Sequence, residues 1–88
     1  MFHASEIKRL IEAALPGAVA IINDDAGDGE HFSGDVTAPS FATLSLVQQH
    51  QAVYRALGRH MGTDIHALQL KTYTPDQWAK SPHAKNGA

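Results

Sequence analysis

The chain contains no cysteine, which removes disulfides, thiolate nucleophiles and any metal site built from thiolates alone. Its stability has to come from packing, and any metal it binds needs His, Asp or Glu as ligand. It has no cationic excess either. The formal net charge is −2 with histidines neutral, so no overall basic field attracts nucleic acid or anionic membrane. No apolar run approaches the roughly 20 residues that span a bilayer. The opening stretch, MFHASEIKRLIEAALPG, has charges within its apolar pattern and no apolar signal core. We therefore expect a soluble, cytoplasmic protein without a signal peptide.

The marks of an enzyme are equally scarce. Ser5, Ser33, Ser40 and Ser45 lack a nucleophile-elbow context, and no glycine pattern of the phosphate-cradling kind precedes a helix. Asp24, Asp25, Asp28 and Glu30 crowd into DDAGDGEH, a loop whose composition suits mobility and solvation better than tuned acid–base chemistry. No catalytic residue is assigned, and we expect no enzyme.

What is present is a small globular chain rich in histidine. Its 88 residues, 43% hydrophobic and 18% charged, fit one domain that buries roughly 60% of its unfolded surface. That leaves room for one two-layer core and none for a deep active-site cavity. Six histidines make the charge sensitive to pH near about 6.5.

Apolar periodicity supplies the order of elements. Ile7, Leu10, Ile11 and Ala14 form a helical stripe, with Ser5 as the expected N-cap and Pro16-Gly17 as the stop. AVAIIND reads as a strand. HFSGDVT alternates as a second, with Phe32, Gly34 and Val36 on one face and His31, Ser33, Asp35 and Thr37 on the other. Gly34 marks a weak point or bulge in it. Ser45 and Gln48 have capping-box spacing ahead of a long stripe, Leu46, His50, Val53, Leu57 and Met61, which Gly62 can cap. IHALQLKT is the third strand, with His66 in line with Leu68 and Leu70. Thr74, Pro75 and Gln77 start a short last helix.

The order α-β-β-α-β with a short C-terminal helix predicts an α+β two-layer sandwich. The first two strands make a hairpin through the acidic loop, and the third can pair parallel. Residues 1–80 form the domain and residues 81–88 a flexible tail. The core expected from these patterns is Ile7, Leu10, Ile11, Phe32, Val36, Leu46, Val53, Leu57, Leu68 and Leu70.

His66 is the residue that raises a functional question. An imidazole in line with two leucines fits a hydrogen-bonded core histidine, a general base, a metal ligand or a partner contact. His31, at the junction of loop and second strand, lies where Asp28 and Glu30 favour its protonated form. Two imidazoles alone do not complete a tetrahedral metal site, but half a site, completed by another molecule, stays open. His50 reads as a half-buried residue of the long helix, and His3, His60 and His83 carry no specific signal.

Residues 47–78, VQQHQAVYRALGRHMGTDIHALQLKTYTPDQW, resemble the BolA family of small proteins. The resemblance is carried by His50, Val53 and Tyr54, by Ile65, His66, Ala67 and Leu68, and by Thr72, Thr74, Pro75 and Trp78. GDGEHF, residues 27–32, is similar to the YrbA/IbaG-like bacterial branch. The resemblance implies a class II KH-like fold. It further implies a monothiol glutaredoxin as partner and a two-iron two-sulfur cluster shared with that glutaredoxin and glutathione, in iron homeostasis, cluster trafficking or stress response. The family's strand histidine falls on His66. Its loop ligand, a Cys or His, falls on His31 in this cysteine-free loop.

A rival reading is a nucleic-acid-binding transcriptional regulator, with Arg55, Arg59, Lys71 and Lys80 as its basic residues. The backbone-clamping G-x-x-G loop of KH domains is missing where the fold would place it, since Gly58 and Gly62 are separated by three residues. A homodimer through a sheet edge or an apolar helix face is the third possibility.

Overall fold

In the computed structural model, which describes residues 2–87 with side chains through residue 84, the alternation of HFSGDVT becomes the centre of a three-stranded sheet. Strand β1 (Val19–Asp24) pairs antiparallel with β2 (His31–Thr37), and β2 pairs parallel with β3 (Ala67–Tyr73), in the order β1-β2-β3. The hairpin and the parallel return are those the sequence predicts. Helices α1 (Ala4–Ala14) and α2 (Leu46–Leu57) cover one face, giving the two-layer α+β sandwich.

Phe32 and Val36 project from β2 into that interface, where they meet Ile7 and Ile11 of α1 and Val53 and Leu57 of α2, all buried. Gly34 lies between them on the same face without a bulge, since the ladder runs unbroken on both sides. A Cβ on Gly34 would stand 2.8 Å from Ile22 Cδ1. Close approach of the neighbouring strand's side chain therefore explains this glycine.

Four residues outside the predicted core belong to it, Ala20, Ala38 and two large ones. Phe41, in a 3-10 turn at Pro39–Thr43, and Ile65, just before β3, are both fully buried. Leu46, by contrast, is 61% exposed, because α2 buries Gln49, Val53 and Leu57 instead of the Leu46–His50 side of the stripe. Gln49 tolerates that burial because its amide is fully used. Nε2 donates to the carbonyls of Phe41 and Leu44 at 3.3 and 3.0 Å, and Oε1 accepts from Thr72 Oγ1 at 2.7 Å. Leu10, Leu68 and Leu70 are only partly buried at the rim.

The element ends divide in the same way. Ser45–Gln48 and Thr74–Gln77 form both predicted capping boxes, the second opening α3 (Pro75–Ala79). Ser5 is not a cap, since α1 starts at Ala4 and the His3 carbonyl accepts from the N–H groups of Glu6 and Ile7. Helix α2 stops at Leu57, four residues before the predicted end, where Gly58 turns to φ +56° and leads into a 3-10 turn, Gly58–His60. Where the sequence suggests a flexible tail, the backbone is helical again as α4 (Pro82–Gly87). His83 stacks on Trp78 with ring centroids 4.7 Å apart. Residue 88 lies outside the described residues.

Candidate functional site

The parallel register decides what the two singled-out histidines share. His31 opens β2 and stands opposite Ala67, which opens β3. His66 is the residue immediately before β3, so both imidazoles sit at the same end of the sheet on neighbouring chain segments. The Glu30 carbonyl ties the two starts together by accepting from the N–H groups of His66 and Ala67, each at 3.2 Å.

His66 is not a core histidine. Its side chain is 54% exposed, and Nε2 lies 3.8 Å from Glu30 Oε1. The alternation that aligns it with Leu68 and Leu70 begins only at Ala67, and buried Ile65 anchors the segment instead. His31 is as open, at 55%.

The acidic loop is built, with each aspartate bonded. Asp24 Oδ2 accepts from the Gly29 N–H at 3.0 Å, and Asp25 Oδ1 accepts from Ser33 Oγ at 2.9 Å. Asp28 Oδ1 accepts from the N–H groups of Glu30 and His31 at 2.9 and 3.2 Å, while Oδ2 pairs with His31 Nδ1 at 2.9 Å. The Glu30 N–H and the His31 ring hold the Asp28 carboxyl down at about 2. Asp28 in turn, by hydrogen bond and charge, raises the pKa of His31 above its ordinary value.

The Asp28 bond leaves Nε2 as the His31 nitrogen free for a metal, the carboxylate–imidazole arrangement that orients metal-ligating histidines. Ligand atoms of Asp28, Glu30 and His31 lie within 4.8 Å of one another. His66 falls outside that group and reaches it through Glu30 alone. Sequence reasoning read Asp28 and Glu30 as charges that favour the His31 imidazolium, but not as members of one ligand group with it, although the three-residue spacing of Asp28 and His31 across a turn was a visible signal. The donor chemistry, two exposed imidazoles flanked by carboxylates, fits a metal-bearing ligand that supplies its own remaining ligands.

Three of the remaining histidines are occupied elsewhere. His50 is half-buried and packs edge-on to Tyr54. His60 Nδ1 bonds Asp64 Oδ2 at 2.6 Å, and His83 Nε2 meets Asp35 Oδ2 at 3.3 Å. The four basic residues of the nucleic-acid reading do not gather into one patch. Arg55 borders a hollow with Ala14 and Leu15 beside α1, Lys71 stands across the sheet from it, and Lys80 pairs with Asp76 at 3.1 Å. Among the described residues, no helix is long and apolar enough to cross a membrane.

Comparison with known proteins agrees with this architecture. The family described as BolA-like protein matches residues 11–77. The DNA-binding transcriptional regulator BolA of Haemophilus influenzae is 30% identical, over 82% of this chain and 81% of its own length. The acid stress protein IbaG of Escherichia coli is 38% identical over 62% of this chain and 67% of its own. A BolA homologue from Coxiella burnetii superposes with a TM-score of 0.75 at 44% identity, covering 89% of this chain and 97% of that one. On fold and sequence together, the chain belongs to the BolA family.

Proposed function

We propose that this chain is an accessory protein that docks a monothiol glutaredoxin and shares a two-iron two-sulfur cluster with it. His66 and His31 supply the nitrogen ligands, and thiolates of the glutaredoxin and glutathione supply the rest. The observation that carries this reading is the placing of two exposed imidazoles at the adjacent starts of parallel strands, joined through Glu30. Membership of the family supports it, as does the bond from Asp28 that orients the His31 ring. Imidazole in place of thiolate raises a cluster's potential and makes its ligation sensitive to protons. Such a protein belongs in iron homeostasis, cluster trafficking or the response to acid, the last being the stress for which the E. coli relative is named.

The test is to combine the protein anaerobically with a monothiol glutaredoxin, iron, sulfide and glutathione, and to record visible absorption and circular dichroism. A spectrum distinct from that of the glutaredoxin alone, altered by His66→Ala and more mildly by His31→Ala, supports the reading. A spectrum that both variants leave unchanged overturns the ligand assignment.

A second reading, a transcriptional regulator that binds DNA, draws on the name of the H. influenzae relative and on Arg55 and Arg59, exposed and without an ion pair among the described residues. With the basic residues dispersed, we expect binding that is micromolar or weaker and suppressed by salt. Tight, sequence-selective binding at about 150 mM salt would put this reading first.

A further inference from the structure

The two edges of the sheet are treated differently. On β1, the Ala20 N–H donates to Glu12 Oε2 at 3.0 Å and the Ala20 carbonyl accepts from Lys8 Nζ at 2.8 Å. Two side chains of α1 thus occupy both outward hydrogen-bonding groups of Ala20, one of the points through which a further strand would join. On β3 there is no such guard. Among the described residues, nothing outside β2 bonds the main chain of residues 68–72. A parallel edge strand turns alternate N–H and C=O groups away from its neighbour, and these are the groups that template an added strand.

Beside that free edge runs a shallow groove of about 320 Å³, formed by Leu46, His50, Leu70, Lys71, Thr72 and Tyr73. Leu46 at its rim and the adjoining Val47 are 61% and 65% exposed, far more than packing within the chain accounts for. Charge is also unbalanced here. Asp35, the cross-strand neighbour of Lys71, is committed to the Tyr73 hydroxyl at 3.0 Å and to His83 at 3.3 Å. Lys71 is left without an ion pair among the described residues.

We infer that the free edge of β3 and the Leu46 groove form a docking site for an extended segment of a partner protein that carries an acidic residue opposite Lys71 and an apolar one against Leu46. The edge selects extended backbone, the groove an apolar side chain, and the unpaired ammonium a carboxylate. A second copy of this chain fits less well. Antiparallel self-pairing centred on Leu70 would bring the two Lys71 side chains diagonally together on one face, a repulsion of the kind that keeps edges apart. The site is independent of whether His66 binds a metal.

The probe is a capped six-residue peptide alternating glutamate with valine and leucine, titrated into the isotopically labelled protein; its control has lysine for glutamate. The expected result is amide shifts and slowed hydrogen exchange along β3, for the glutamate peptide only. Lys71→Glu should weaken that peptide roughly fivefold and admit the lysine peptide. Leu46→Asp, at an exposed position, should weaken it about tenfold with the fold unchanged by circular dichroism. No response along β3, equal binding of both peptides, or protection of the same amides by concentration-dependent dimerisation without peptide would each overturn the proposal.

Discussion

Glu30 and His66 are joined twice, once through the main chain at 3.2 Å from N–H to carbonyl and once through a 3.8 Å approach of carboxylate to imidazole. Only the second link uses the histidine side chain. The position of the loop against the start of β3 therefore survives loss of the ring. His66→Ala should change stability by no more than about 0.5 kcal/mol, as substitutions of exposed side chains do. Urea unfolding measures this directly. A loss of several kcal/mol would mean the imidazole holds the fold, and spectral changes in the cluster assay would no longer speak for ligation.

The Asp28–His31 pair makes a prediction about pH. His31 has a raised pKa in the folded state, so its share of the pairing is complete below the unfolded histidine value and fades as pH rises through the raised one. Asp28 is held at about 2; its share is complete above the ordinary carboxylate range and fades as pH falls through that value. Between these limits both groups are charged. Asp28→Asn should return the His31 titration, followed by NMR of the ring protons, toward about 6.5. Global stability should hardly move, since both groups are exposed. A wild-type His31 that titrates at the ordinary value contradicts the pairing.

Where local chemistry decides the outcome, the sequence was enough. Alternation in HFSGDVT placed Phe32 and Val36 inside, and Ser45–Gln48 and Thr74–Gln77 opened their helices as written. Where tertiary packing decides, it was not. Leu46 and Gln49 differ by nearly one helical turn, and apolar periodicity prefers the leucine, yet a glutamine with three available partners is the one buried. Phe41 lies in a segment without period, so nothing local marked it as core, and period two across IHALQLKT set Ile65 on the face opposite Leu68 and Leu70, although it is fully buried. For the site, a strand pattern begun two residues too early, at Ile65 instead of Ala67, put His66 on an apolar face. The parallel register that sets it beside His31 depends on residues far apart in the chain, which no local window contains.

Gly34 offers a test of packing between the strands. Its missing Cβ would lie 2.8 Å from Ile22 Cδ1, the end of a side chain able to rotate away in part. Gly34→Ala should therefore cost about 1–3 kcal/mol, the usual range for an overpacked position. Shortening the neighbour with Ile22→Val should recover part of that loss, so the double variant should be more stable than the sum of the two singles. Strictly additive losses in thermal or urea unfolding would show that the clash is absent.

Gln49 carries the last prediction. Its amide joins three segments: the 3-10 turn through the carbonyls of Phe41 and Leu44, α2 through its own backbone, and β3 through Thr72. Gln49→Leu keeps the bulk and raises apolarity at a site only 5% exposed, so on hydrophobic grounds alone it should stabilise. It also strips two carbonyls and one hydroxyl of their partner in a low-dielectric setting, each loss worth about 1–3 kcal/mol where water does not reach. The polar loss should win, with a net destabilisation of about 2 kcal/mol or more. Gln49→Leu combined with Thr72→Val removes one of the orphaned groups and should recover part of it. If Gln49→Leu is neutral or stabilising in urea unfolding, the buried amide is dispensable and apolar packing alone positions α2 on β3.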